Sequence, residues 1–152
     1  MRKCIVLFMI FFLLGSTICL AHNLDPVVSN EEACDLEGFT PDFSSIIECV
    51  ELIELIESKK DFFLLDVRNQ SEWNTGYIEG ATLIPYKEIE DNLDKLPSDK
   101  NSLIVIYCKS GIRSGAALET LKKLGYTNLT HLIQGTTGWS FEGYPLVKPD
   151  VK

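Results

Sequence analysis

The chain has 152 residues, 45% hydrophobic and 24% charged, which suits a single globular domain with a proper core. Its formal charge of −8 argues against nonspecific binding to DNA, RNA or anionic lipid, so any attraction for an anionic substrate must be local. No repeat, low-complexity tract or nucleic-acid-binding signature is visible, and with only His22 and His131 and no zinc-type cysteine spacing, no metal site is expected.

The first 21 residues have the pattern of a secretory signal peptide. Arg2 and Lys3 form a positive start, Ile5 to Leu14 is an unbroken apolar run, and Cys19-Leu20-Ala21 is a small-x-small site that predicts cleavage after Ala21. The competing reading is an uncleaved anchor, for which Ile5 to Ala21 lies at the short edge of spanning length. Cleavage predicts an exported protein, periplasmic or secreted, with no membrane attachment and with three cysteines, Cys34, Cys49 and Cys108. An exported compartment permits a disulfide between Cys34 and Cys49; the alternative is that Cys49 is a buried helix residue and Cys34 a linker thiol.

Residues 22–43 are polar, acidic and broken by Pro26, Gly38 and Pro41, and are expected to form a linker or a loosely docked arm. A domain is expected over residues 44–147, with 148–152 as a tail. It opens with a helix capped by Ser44 or Ser45, with Glu48 completing a capping box. Ile46, Val50, Ile53 and Ile56 lie along one face, and Glu48, Glu51, Glu54 and Glu57 along the other. Apolar runs predict strands at 62–66, 81–84, 103–107 and 129–133, with a weaker one near 36–40. A helical turn is expected at 71–73 and a short acidic helix from Glu88 to Leu96. A longer helix follows Arg113, carrying Ala117, Leu118, Leu121 and Leu124 on one side and stopping at Gly125. Helices alternating with short apolar strands predict an α/β/α arrangement of three layers around a mostly parallel sheet of about five strands. Right-handed crossovers would bring the 66–68 and 108–113 loops to one edge of that sheet.

That edge carries the candidate chemistry. Cys108 ends the most apolar strand, and Lys109-Ser110-Gly111-Ile112-Arg113-Ser114 leads from it into a helix. Ligands bind at the C-terminal ends of strands in open α/β sheets. A cysteine reacts as its thiolate, and a helix N-terminus together with Lys109 and Arg113 favours that form. Gly111 lets the loop curl so that backbone amides can cradle an anion, and Arg113 offers a planar fork to an oxyanion.

Taken together, these motifs resemble single-domain rhodaneses, a family of sulfurtransferases. The resemblance spans residues 44–147 and rests on motifs in the family's order. They are Leu64-Leu65-Asp66-Val67-Arg68, Glu72-Trp73, Gly76-Tyr77-Ile78-Glu79-Gly80-Ala81, Ile84-Pro85, the Cys108–Ser114 loop, and Gly135 to Trp139. It implies a rhodanese-like fold and transfer of sulfane sulfur from thiosulfate or a similar small anionic donor to a thiol or cyanide, through a persulfide on Cys108. A carrier or partner-binding module with little small-molecule turnover is the alternative. Backbone amides of Lys109, Ser110, Gly111, Ile112 and Arg113 would hold the persulfide, with Arg113 and Lys109 on the donor's anionic end. Asp66, Arg68 and Ser114 would be supporting residues, and Glu72 could pair with Arg68. No cofactor is implied, and nothing requires more than a monomer. Four residues separate Cys108 from Arg113, a smaller loop than the Cys-x5-Arg of phosphatases on related folds, and it suits a sulfur atom better than a phosphoryl group. The sequence departs from the family at Tyr77, usually a histidine, and at Thr136, where a second glycine is common.

Overall fold

The computed structural model describes residues 45–149. The signal peptide, the linker with Cys34, the weak strand near 36–40 and the end of the tail lie outside the described residues. In chain order the elements are β1 (Ile46–Ile47), α1 (Cys49–Glu57), β2 (Phe63–Asp66), α2 (Gln70–Thr75), β3 (Thr82–Leu83), two 3-10 segments (Tyr86–Glu88 and Glu90–Lys95), β4 (Ile104–Tyr107), α3 (Ile112–Lys123), β5 (Leu129–Leu132) and α4 (Gly135–Phe141). The sheet has five strands in the order β1-β5-β4-β2-β3, and every neighbouring pair is parallel.

Successive strand residues point to opposite faces, and the two faces bury different layers. Leu65, Val67, Ile104, Ile106, Cys108 and Leu129 pack with Ala117, Leu118 and Leu121 of α3 and with Ile89 and Leu96 of the 3-10 region. Leu64, Val105, Tyr107 and Leu132 pack with Cys49 and Leu52 of α1, Trp139 of α4 and Ile78. β4 is central and buried along its whole length, which is why it reads as a continuous apolar run. Gly125 has φ +90° and follows α3 as expected.

The expected start of the first helix is corrected. Ile46 and Ile47 pair with His131 and Leu132 of β5 as an edge strand, and the helix begins only at Cys49. The capping box shifts with it, so the Glu51 carboxylate accepts the Glu48 N–H at 2.8 Å. This rotates the buried face: Cys49 and Leu52 are buried, while Val50 is 46% exposed. Cys49 is a free, buried thiol; its possible partner Cys34 lies outside the described residues. Burial, with Glu142 and Glu48 nearby, pushes that thiol up from its ordinary value. The acidic helix at 88–96 is a pair of 3-10 segments, the second interrupted at Asn92, whose side-chain amide donates to the Glu88 carbonyl at 2.8 Å. After β5 the chain forms α4, a helix not expected from its Gly- and Thr-rich sequence. The last residue of the expected domain, Val147, is tied back by paired backbone bonds to Tyr77.

Candidate active site

β2 and β4 end side by side: the Val67 N–H donates to the Tyr107 carbonyl at 3.0 Å, so the 66–68 and 108–113 segments share one edge as expected. Cys108 continues the β4 alternation, and its fully buried side chain turns towards the α3 layer. The loop then closes over it. Gly111 has φ +94°, and a Cβ there would sit 2.0 Å from the Ile133 carbonyl oxygen, so only glycine fits. This turn aims the Gly111 N–H at Cys108 Sγ, 3.1 Å away. The sulfur therefore lies against the N-cap amide of a 12-residue helix, at the end of the helix dipole that favours anions.

Two neighbours hold this loop. On one side the Ser114 hydroxyl donates to the Gly111 carbonyl at 2.9 Å, and His131 Nδ1 lies 3.2 Å from the same hydroxyl oxygen. Because the hydroxyl proton goes to Gly111, the ring contributes the donor in that contact, which assigns the proton to Nδ1. On the other side α4 begins with its amides aimed at the loop: Thr136 N–H donates to the Cys108 carbonyl at 2.9 Å and Thr137 N–H to that of Lys109 at 3.0 Å. Gly135 permits this approach. It has φ +53°, and a Cβ would lie 2.2 Å from the Cys108 oxygen. At position 136 it is the backbone amide that reaches Cys108, a contact that a threonine provides as readily as a glycine.

The opposite side of the strand ends is a buried ionic brace. The Asp66 carboxylate accepts from the Arg68 backbone N–H and from its guanidinium, at 2.6 Å for the shortest contact, and Arg68 also donates to the Gly76 carbonyl at 2.9 Å. Burial opposes the Arg68 charge, but Asp66 outweighs it and holds the guanidinium above its ordinary value. Tyr107, beneath Arg68, accepts the Ile78 N–H at 3.2 Å; burial, then Asp66, raises its hydroxyl well above the usual range. Asp66 and Arg68 thus brace the loop from β2 to Gly76.

Glu72 does not pair with Arg68. Its two carboxylate oxygens accept from the two terminal nitrogens of Arg113 at 2.6 and 2.7 Å, joining α2 to the first turn of α3. Arg68 instead meets only the Glu72 backbone carbonyl, at 3.5 Å. Arg113 holds the Glu72 carboxyl below its ordinary value, against the opposing effect of partial burial. Lys109 and Ser110 are exposed at the loop tip, and Ile112 is 55% exposed. Tyr77, in the position where a histidine is usual, stacks on Trp73 with ring centroids 3.7 Å apart. Nothing in the order of residues pointed to the Glu72–Arg113 pair, the Ser114–His131 contact or the stack. The first was masked because Glu72, four residues after Arg68, mimics a helical ion pair, although Arg68 precedes α2.

Residues 48–142 match the Rhodanese-like domain family. The chain belongs to the rhodanese family. It is 32% identical over 104 residues to a sulfurtransferase of Allochromatium vinosum, covering 68% of this chain and 95% of that protein. It is 39% identical over 97 residues to the probable adenylyltransferase/sulfurtransferase MoeZ of Mycobacterium tuberculosis, covering 62% of this chain but spanning only 24% of that longer protein. Among solved structures, a rhodanese-like domain protein from Staphylococcus aureus superimposes with a TM-score of 0.62 at 32% identity, covering 70% of this chain and 99% of that one. The five-stranded parallel sheet flanked by helices is thus the rhodanese fold the sequence led one to expect.

Proposed function

We propose that this rhodanese is an exported sulfurtransferase that carries sulfane sulfur on Cys108. The observation that carries the reading is the Cys108 sulfur at the end of β4, receiving the Gly111 amide at 3.1 Å under the N-terminus of α3. The relative named a sulfurtransferase, matched over nearly its whole length, supports the same chemistry.

In the first half-reaction the Cys108 thiolate attacks the outer sulfur of thiosulfate. The sulfur–sulfur bond of the donor breaks, sulfite leaves with its electron pair, and Cys108 becomes a persulfide anion. In the second, cyanide or a thiolate attacks the outer persulfide sulfur, and the Cys108 thiolate leaves. Charge balances in both steps, and no cofactor enters. The loop amides of residues 109–113 stabilise the sulfur anion, and the dipole of α3 adds to this. Arg113 and Lys109 attract the anionic donor. Two successive displacements on one sulfur require ping-pong kinetics.

A protein acceptor is the second reading, a sulfur-carrying module with slow small-molecule turnover. Its support is a relative named a putative sulfur carrier protein in Bacillus subtilis, 33% identical over 85 residues and covering 56% of this chain and 45% of that protein. Steady-state conversion of thiosulfate and cyanide to thiocyanate and sulfite separates the two. Ping-pong turnover by the wild type, lost in Cys108→Ser, is expected for the enzyme. Sulfite release limited to one turnover would favour the carrier, and no sulfur uptake from thiosulfate or from cysteine persulfide would overturn both. The export proposal has its own test, the N-terminus of the protein in its native host: His22 is expected, and an intact Met1 would contradict cleavage.

A further inference from the structure

The Glu72–Arg113 pair takes no part in the displacement steps, yet it engages the guanidinium assigned to the donor. Both terminal nitrogens of Arg113 meet carboxylate oxygens at 2.6 and 2.7 Å, a bidentate geometry that aligns the two charges closely. Glu72 is also held in place independently of Arg113. Its carboxylate accepts the Asn69 N–H at 3.2 Å, while the Asn69 side chain accepts the Glu72 N–H at 2.9 Å, the reciprocal cap of α2. The negative charge is therefore built into the helix that faces the loop. With side-chain exposures of 18% and 23%, the two groups are only partly screened by water.

This arrangement bears on which donors the site accepts. A lone guanidinium attracts a dianion about twice as strongly as a monoanion. A guanidinium already matched by a carboxylate presents a nearly neutral pair, and a dianionic donor beside it also meets the negative charge of Glu72. We propose that Glu72 is a specificity-determining residue: by neutralising Arg113 it weakens the site's hold on dianionic donors such as thiosulfate relative to singly charged persulfides such as cysteine persulfide. The inference rests on the sulfur-transfer reading of Cys108. In both cases the chemistry is the same displacement, with sulfite leaving from thiosulfate and cysteine thiolate from cysteine persulfide.

Glu72→Gln tests it, because glutamine keeps the length and an oxygen for the Asn69 N–H while removing the charge. The readout is the ratio of kcat/KM for thiosulfate to that for cysteine persulfide. It is expected to rise on the order of fivefold, through a lower KM for thiosulfate, as suits the loss of one partly exposed ion-pair partner. Glu72→Asp, which retains the charge, is expected to keep the wild-type ratio. A ratio unchanged or lowered in Glu72→Gln, or raised equally in Glu72→Asp, overturns the proposal and leaves Glu72 as a brace. Thiosulfate binding to Cys108→Ser, by calorimetry with and without Glu72→Gln, reads the same effect without turnover, and tighter binding with Gln is expected. Should the wild type take sulfur from neither donor, the sulfur-transfer reading fails, and the calorimetry still decides whether Glu72 controls anion affinity. Should sulfur transfer proceed while ratio and affinity stay fixed, only the Glu72 proposal fails.

Discussion

At the residue scale, the site depends on two close backbone approaches that tolerate no side chain. Gly111 passes against Ile133, and Gly135 against Cys108 and Lys109. Gly135→Ala would press a methyl group into the Cys108 carbonyl and force strained backbone, and should cost on the order of 1–3 kcal/mol of stability. Because the displaced atoms are those that aim the loop, sulfur loading should fall more steeply than the urea midpoint, and parallel stopped-flow and denaturation measurements would show it. An unchanged loading rate would mean that the α4 contact does not set the loop. Arg113→Ala should raise the KM for thiosulfate by roughly tenfold, as expected when a charge-assisted contact is lost and the Glu72 carboxylate is left facing the donor. Cys108 should still react with an alkylating agent. Loss of alkylation with unchanged KM would contradict the donor role of Arg113.

At the element scale, α2 is a short helix with several ties. Asn69 caps its start, Glu72 links it to α3, and Arg68 links β2 to the carbonyl of Gly76 at its end. Asp66 and Arg68 are both buried, so removing one charge leaves the other unpaired in the interior. Arg68→Ala should therefore destabilise the domain by about 3–5 kcal/mol, read from chemical denaturation. The Glu72 tie has a defined pH signature. Its carboxyl is held below the ordinary 4.5 by Arg113, so the native state binds this proton less readily than the unfolded chain. The stabilisation is fully present above the unfolded value and is lost as pH falls through the lower folded value. The melting-temperature difference between wild type and Glu72→Gln should thus stay level from neutral pH to about 5 and shrink below it. A difference that grows on acidification would contradict the pairing.

At the scale of the whole molecule, the sequence revealed what is repeated along the chain and missed what depends on distant contacts. The central strands β2 and β4 were legible because burial on both faces makes them nearly continuous apolar runs. The edge strand Ile46–Ile47 was not: two residues are too few to show a period of two, and Ile46, Val50 and Ile53 mimic a helix. α4 was hidden by two glycines and two threonines, poor helix formers whose helix is anchored by amides bound to the Cys108 and Lys109 carbonyls. The position of Cys108 and its loop was legible because strand, cysteine, glycine turn and helix are contiguous. The partner of Arg113 was not, since Glu72 lies 41 residues away and only the fold brings them together.

The central claim is that the buried Cys108 sulfur accepts a second sulfur atom. Its most direct test is the intact mass of the protein after incubation with thiosulfate or with cysteine persulfide, before and after adding cyanide. The account predicts a gain of one sulfur atom by the wild type, its removal by cyanide, and no gain by Cys108→Ser. A wild type that gains no sulfur, or a serine variant that gains as much, would contradict it.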